Sequence, residues 1–312
     1  MENTIFKLIR LVACVTHLVG FGLLILDRPP LLLLLIMPAS LLLFLAADNQ
    51  VRQSNSLLLG KFGRAFQLLI VSLIFGAVLE SANFYFQHRY FGGLPAEIVL
   101  RWGYILILFS LQLPLLLELE RFLDNIGLAE IMNWRKISFT SGVYRMLLGL
   151  AGLLLVAAAV RPDSLYPLFW VSILLLTDSL VNLSGHSEMS VSGQFEEGYY
   201  GQAFRLVLAG TVTGFLWEFW NYWSPVKWFY SPSPGTGDYL FELPAMEYWS
   251  YTFIALGAYG FYQLSQVMKD KMNLGFWPLY GKAVVSLLLV LLLAAVLAGI
   301  DHYTVASFRR LI

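Results

Sequence analysis

Long apolar blocks alternate with short polar connections along this chain, and the blocks lack the regular polar positions of a helix resting on water. A helix crossing a hydrocarbon core of ~30 Å needs roughly 20 mostly apolar residues. Nine segments meet that need: 5–26, 30–47, 65–86, 98–117, 143–160, 165–181, 203–223, 248–267 and 283–300. The second and sixth are short, which leaves them less tilted or partly re-entrant. The pattern predicts an all-α polytopic membrane protein with about nine transmembrane helices. Composition agrees with it. The 312 residues are 58% hydrophobic and 13% charged, where a soluble domain carries about a quarter charged, and the mean hydropathy is +0.70.

Charge adds an orientation. Lys7 and Arg10 open the first segment, and their long stems reach the interface by snorkelling. No small-residue cleavage site follows, only Asp27-Arg28-Pro29-Pro30, so the segment reads as a retained signal-anchor. With the N-terminus cytoplasmic, thirteen Lys and Arg lie inside and seven outside, which favours a C-terminus outside. The expected location is a prokaryotic inner or plasma membrane. The net charge is zero, so nothing draws the chain generally toward nucleic acid, and membrane lipids are its expected surroundings. The one cysteine, Cys14, sits inside the first segment, so no intrachain disulfide or thiolate metal cluster can form.

Self-comparison then reveals an internal repeat. A shift of 138 lays residues 63–91 on 201–229 without a gap. Gly63, Ala65, Phe66, Leu68, Gly76, Glu80, Asn83 and Phe91 meet Gly201, Ala203, Phe204, Leu206, Gly214, Glu218, Asn221 and Phe229. Arg89 meets Lys227, and Asp48 and Leu94-Pro95-Ala96 recur nearby as Asp178 and Leu243-Pro244-Ala245. Glu, Asn, Gly and Pro in matching order do not follow from hydrophobicity. The expected organisation is a first four-helix repeat at 1–117, a cytoplasmic linker helix at 118–141, a second repeat at 142–268, and a loop with a ninth helix at 269–312. Four helices per unit make the repeats parallel, related by an axis along the membrane normal. The ninth helix has no partner and reads as lipid-facing or as a homo- or hetero-oligomer contact.

The repeated element is Gly-x-x-x-Glu-x-x-Asn followed by two aromatic residues, at Gly76–Tyr85 and Gly214–Trp223. Glu and Asn three apart share a helix face. A carboxylate at membrane depth costs roughly 2.5–3.5 kcal/mol on insertion scales, so it faces a protein interior or a wet cavity. If the units pack face to face, Glu80 and Glu218 approach each other and one can hold a transferable proton. The structural alternatives are headgroup contacts or pairing with Arg89 and Lys227 for the acids, helix pinning for Asn83 and Asn221, and close packing for the glycines. A second concentration of chemistry is the outer loop from Trp228-Phe229-Tyr230-Ser231-Pro232 through Glu242 to Glu247, with Trp217 before it. Clustered aromatics with a few acids suit a flat apolar ligand or a cationic intermediate, although any single Trp is better read as an interface anchor.

Several chemistries lack their residues. The four histidines are scattered, no phosphate- or dinucleotide-binding glycine motif occurs, and no paired aspartate-rich motif is present. His186 with Glu188, Glu196 and Glu197 reads as a solvated acidic loop rather than a metal site. No cofactor and no metal are expected.

Trp217-Glu218, Trp228-Phe229-Tyr230-Ser231-Pro232 and Leu243-Pro244-Ala245-Met246-Glu247 resemble the integral-membrane lycopene cyclases of the bacterial heterodimeric and fungal type. The resemblance implies tandem helical units and acids that protonate a polyene end and take a proton back without net redox change. The likeness covers about 60 residues, and each unit keeps one Glu of the family's pair, Glu97 and Glu247. The reading that results is a redox-neutral intramembrane enzyme for an apolar isoprenoid-like substrate. Glu80, Glu218 and Glu247 supply acid and base; Asn83, Asn221, Trp217, Trp228, Tyr230, Glu97 and Glu242 bind substrate. A transporter of a small or lipidic solute and a non-catalytic membrane subunit are the alternatives.

Overall fold

The computed structural model describes residues 2–26, 29–130, 132–231, 238–274 and 279–305. Its elements are α1 (Glu2–Ile25), α2 (Leu33–Gln53), α3 (Phe62–Phe86), β1 (Arg89–Gly92), α4 (Ile98–Asn125), α5 (Ser141–Val160), α6 (Pro162–Leu165), α7 (Pro167–Leu183), α8 (Val191–Glu197), α9 (Gly201–Trp223), β2 (Lys227–Tyr230), β3 (Tyr239–Leu240), β4 (Leu243–Pro244), α10 (Ser250–Leu274) and α11 (Leu279–Gly299). All nine apolar segments are helical. Among the described residues six helices are long and apolar enough to cross a membrane: α1 to α5, and α11 with the π-turn that follows it. The segment α7 is apolar but only 17 residues long. With 23 and 25 residues, α9 and α10 have the length, but their Trp, Tyr and Gln side chains dilute the apolar character.

The distribution of side chains is inside-out relative to a water-soluble protein. α1, α5 and α11 turn Leu8, Leu11, Val15, Leu153, Val156, Leu287 and Leu291 outward, while Asp48, Glu80, Glu118, Glu120, Asp178, Arg205 and Glu218 are buried. That arrangement is consistent with an integral membrane protein, because hydrocarbon tolerates charge only where protein groups answer it. Glu118 is an instance. It accepts from Asn49 Nδ2 at 2.7 Å, Ser56 Oγ at 2.8 Å and the Leu58 amide at 2.8 Å.

Packing follows one order twice. α1 packs on α2, α2 on α4 and α4 on α3; α5 packs on α7, α7 on α10 and α10 on α9. The two sets meet where α4 lies against α9 and α3 against α10. At one end they share an antiparallel ribbon, with Arg89 opposite Tyr230, Tyr90 opposite Phe229, Phe91 opposite Trp228 and Gly92 opposite Lys227. Under the 138-residue shift this register maps onto itself when the strands are exchanged. Gly93 follows at φ +72, and a Cβ there would fall 2.2 Å from the Pro225 carbonyl oxygen, so only glycine fits this crossing. At the opposite end Arg205 Nε meets Glu120 at 3.0 Å and its Nη2 meets Asp124 at 3.0 Å. On the other side of the same interface Gln67 Nε2 donates to Gln266 Oε1 at 3.1 Å, and its Oε1 accepts from Lys269 Nζ at 2.6 Å.

One expectation changes. Residues 118–125 are no separate linker helix but the last two turns of α4, held there by the buried bonds of Glu118, with Leu119, Phe122 and Leu123 in the core. Residues 132–140 are then extended and lie along α8, through Trp134 N to Gly198 O at 2.9 Å and Ile137 N to Phe195 O at 3.1 Å. The ninth helix is anchored to the first helix set. Asp301, in the π-turn, accepts from Arg101 Nε at 2.6 Å, Arg101 Nη2 at 2.8 Å and Trp102 Nε1 at 3.0 Å. Its outer face, with Val284, Leu287, Leu288 and Leu291, stays exposed.

Candidate active site

Both copies of the repeated motif end a helix that leads into the ribbon. Asn83 lies one turn from the end of α3, where it donates to the Arg89 carbonyl at 2.8 Å and accepts from the Arg89 amide at 3.0 Å. Asn221 does the same for Trp228, with both bonds at 2.8 Å. The amides are therefore satisfied by backbone that would otherwise be buried without partners. They fix the angle at which each helix hands over to its strand.

The paired acids diverge in their surroundings. Neither Glu80 nor Glu218 has any exposed surface. Glu80 accepts from Asn83 Nδ2 at 2.9 Å and from Arg89 Nη2 at 2.7 Å, a charge-assisted bond. Burial opposes the charge on Arg89, but Glu80 beside it and Tyr230 nearby raise its pKa above the ordinary value. Its guanidinium also lies over the rings of Phe91 and Trp228, at 5.7 and 5.8 Å. Glu80 is thus half of a neutralised ion pair.

Among the described residues Glu218 has no cation bonded to it. Its Oε1 accepts from Tyr251 Oη at 2.5 Å, Tyr230 Oη at 2.6 Å and Trp228 Nε1 at 3.4 Å, whereas Oε2 is buried with no hydrogen-bond partner among those residues. Burial, and then the neighbouring Glu218, push Tyr230 well above the phenol range, so its hydroxyl stays a donor. Gly214, one turn before Glu218, is what admits Tyr251. A Cβ at 214 would lie 2.2 Å from Cγ of that ring.

These groups surround a chamber of about 150 Å³ between the two helix sets, bounded by α3, α4, α7, α9 and α10. Apolar walls come from Phe75, Leu79, Trp170, Trp217 and Ile254; polar groups enter from Arg89, Tyr230, Tyr251, Glu247 and His88. Glu247, in the turn before α10, pairs with His88 Nε2 at 3.3 Å. The ring of His88 stacks on Tyr166 at 4.1 Å and packs on Tyr230 at 5.4 Å.

Of the residues singled out in the sequence, the structure brings Trp217, Trp228, Tyr230, Asn83 and Glu247 to the chamber wall and sets Glu218 and Glu80 against its lining. Glu97 is elsewhere. It precedes α4 with its side chain exposed, because the chain turns outward after Pro95. Glu242 pairs with Lys227 at 2.6 Å on the outer rim. The tryptophans divide, with Trp217, Trp220 and Trp228 packed ring to ring inside and Trp223 and Trp249 at the surface. Residues Pro232–Gly235 and Trp277 lie outside the described residues. Glu196 accepts from Tyr144 at 2.9 Å and from the Phe139 amide at 3.2 Å. Among the described residues no group of three or more His, Cys, Asp and Glu is placed to hold a metal.

His88, Tyr166 and Tyr251 are site residues that the sequence did not mark. Each comes from a different segment and has no spacing signature; the one available hint was that Glu218 needed donors. Comparison with family models, curated proteins and solved structures returned no match.

Proposed function

We propose that this chain is a redox-neutral intramembrane acid–base enzyme that isomerises or cyclises an apolar, isoprenoid-like substrate. The observation that carries the proposal is Glu218: a fully buried carboxyl with three donors on one oxygen and none on the other, touching an aromatic chamber through Tyr230 and Tyr251. Gathering all donors on Oε1 leaves Oε2 as the oxygen that carries a transferable proton. A low-dielectric wall of Trp and Tyr faces offers stabilisation to a carbocation formed on protonation. The volume is that of a single six-membered ring rather than a long chain, about what a cavity of ~150 Å³ accepts. One end group of a longer lipid enters, and the rest stays among the helices. The resemblance to lycopene cyclases accords with this class of substrate.

The same proposal takes the two helix sets as duplicated units and gives α7, α9 and α10 a membrane-spanning role. The recurring packing order and the self-symmetric ribbon support duplication. At 1.5 Å per residue, α9 is about 35 Å long, enough for the hydrocarbon core. The orientation read from Lys and Arg puts the chamber toward the outer leaflet.

Transport would require one unit to rock against the other. Here the ribbon ties them at one end and Arg205 and Gln67 tie them at the other. A rigid frame suits a fixed catalytic geometry better. Expression in a carotenoid-producing host tests the proposal by its pigment profile. The wild type should alter the profile, and Glu218→Gln, which keeps the shape but not the acid, should lower conversion at least about 100-fold. A profile identical with wild type, Glu218→Gln and empty vector would sink it.

A further inference from the structure

Beyond the acid at Glu218, the chamber contains a base whose aim depends on a residue outside the repeat. We infer that His88 is the positioning residue for Glu247, holding that carboxylate as the group that takes the proton off the substrate. The inference rests on the functional reading above and adds to it the second half of the proton cycle.

The geometry is built from three separate segments. Gln87 leaves α3 in the left-handed region at φ 49, which turns the chain sharply into the ribbon. His88 is then pinned through its backbone, since its carbonyl accepts from the Ser231 amide at 2.7 Å and the Gln87 carbonyl accepts from Ser231 Oγ at 2.6 Å. Its side chain is held independently, by the stack on Tyr166 at 4.1 Å and 23° and by the edge of Tyr230. An imidazole fixed by backbone on one side and by a ring face on the other loses little freedom when it binds a carboxylate. Its Nε2 stands 3.3 Å from Glu247 Oε2, and both side chains are mostly buried, at 12% and 15% exposure. Both line the chamber. Glu247 sits in a single 3-10 turn, a weak support by itself, and the imidazole is one of the groups that hold its direction.

Among the described residues, the charged and titratable neighbours of the His88 ring have places of their own. Tyr166 and Tyr230 flank the ring, and Arg89, next in sequence, is engaged by Glu80. Tyr230, part of the lining, also donates to Glu218, so the acid sits directly behind the wall that carries the base. The cycle balances. A proton from Glu218 adds to one carbon of a double bond, and the π pair becomes the new C–H bond. A neighbouring C–H bond of the resulting cation then breaks, its electron pair forms the product double bond, and the proton goes to Glu247. One proton enters and one leaves, with no oxidant or reductant, and before the next turnover Glu247 releases its proton to solvent and Glu218 takes one up.

Turnover by membranes containing the full chain tests the inference on five variants. His88→Phe keeps a ring to stack on Tyr166 but removes Nε2, and His88→Gln keeps a donor within reach of Glu247. The expected result is a kcat about 100-fold lower for His88→Phe with KM changed less than about 2-fold. His88→Gln should recover about 10-fold of that loss, and the double variant with Glu247→Gln should be no slower than Glu247→Gln alone. Thermal unfolding of His88→Phe within a few degrees of wild type separates this from misfolding. A wild-type kcat in His88→Phe, or losses that multiply in the double variant, overturns the inference while Glu218→Gln remains inactive. If Glu218→Gln turns over normally, the functional reading fails and this inference fails with it.

Discussion

At the scale of single residues, the repeated motif combines a structural role and a chemical one in the same few positions. Asn83 and Asn221 are occupied by backbone, Glu80 by Arg89, and the remaining acid is Glu218. Identical letters hold different posts because the partners differ, with Arg89 beside Glu80 and Tyr230 and Tyr251 beside Glu218, as the proposed duplication with divergence would leave them. Gly214 shows how tightly the second copy is fitted. Gly214→Ala should displace the Tyr251 ring from Glu218 and lower turnover about 100-fold, at a stability cost of about 1–3 kcal/mol. Gly149→Ala, at a helix position with nothing within 4 Å, should leave both unchanged. Measuring conversion and thermal unfolding side by side checks the pair of outcomes, and equal turnover in the two variants would remove the role given to Gly214. The sequence made Glu80, Glu218, Trp228 and Tyr230 visible because a carboxylate or a Trp cluster in an apolar block is chemically conspicuous. Tyr251, Tyr166 and His88 were invisible, since a lone Tyr or His in such a block has many innocent uses and their meeting is a fact of tertiary structure. Glu97 misled for the opposite reason: its spacing after Pro95 matched a pattern, but the backbone carries it outward.

Among elements, hydrophobic length gave the nine long helices but not the short α6 and α8, and α2, α4 and α10 run past the expected ends, because only the apolar part of a helix is read from length. What length could not give was continuity. α4 runs on past its apolar stretch to Asn125, since Glu118, Glu120 and Asn125 find partners inside. The junction of α4 with α9 depends on one such partner. Arg205 and Glu120 are both nearly inaccessible, at 5% and 8% side-chain exposure. Arg205→Met leaves Glu120 buried with an unanswered charge and should cost about 3–5 kcal/mol, seen as a fall of roughly 10 °C in Tm in detergent. Adding Glu120→Met should restore most of it. A single variant as stable as wild type would mean that the two helices are joined by apolar packing alone.

For the whole molecule, the outward apolar faces of α1, α5 and α11 and the buried charge between them define the environment more firmly than any count of spans. The disputed helices are α7, α9 and α10, and accessibility decides them. Cys14 is the one cysteine in the chain, so Cys14→Ala gives a background for single reporters. A cysteine replacing Tyr239 should react with an impermeant maleimide in intact cells. One replacing Glu188, on the far side of α9, should react only after permeabilisation. Labelling of both from the same side would remove α9 from the membrane and the proposed orientation with it.

The ribbon between β1 and β2 has a consequence for biosynthesis. Residues 89–92 emerge from the ribosome well over a hundred residues ahead of the strand that completes them. Through that interval the nascent first half presents a bare edge of amides and carbonyls, and Arg89 has no Trp228 above it. The ribbon can therefore close only once most of the chain has emerged, with α10 and α11, which follow β2, still to be made.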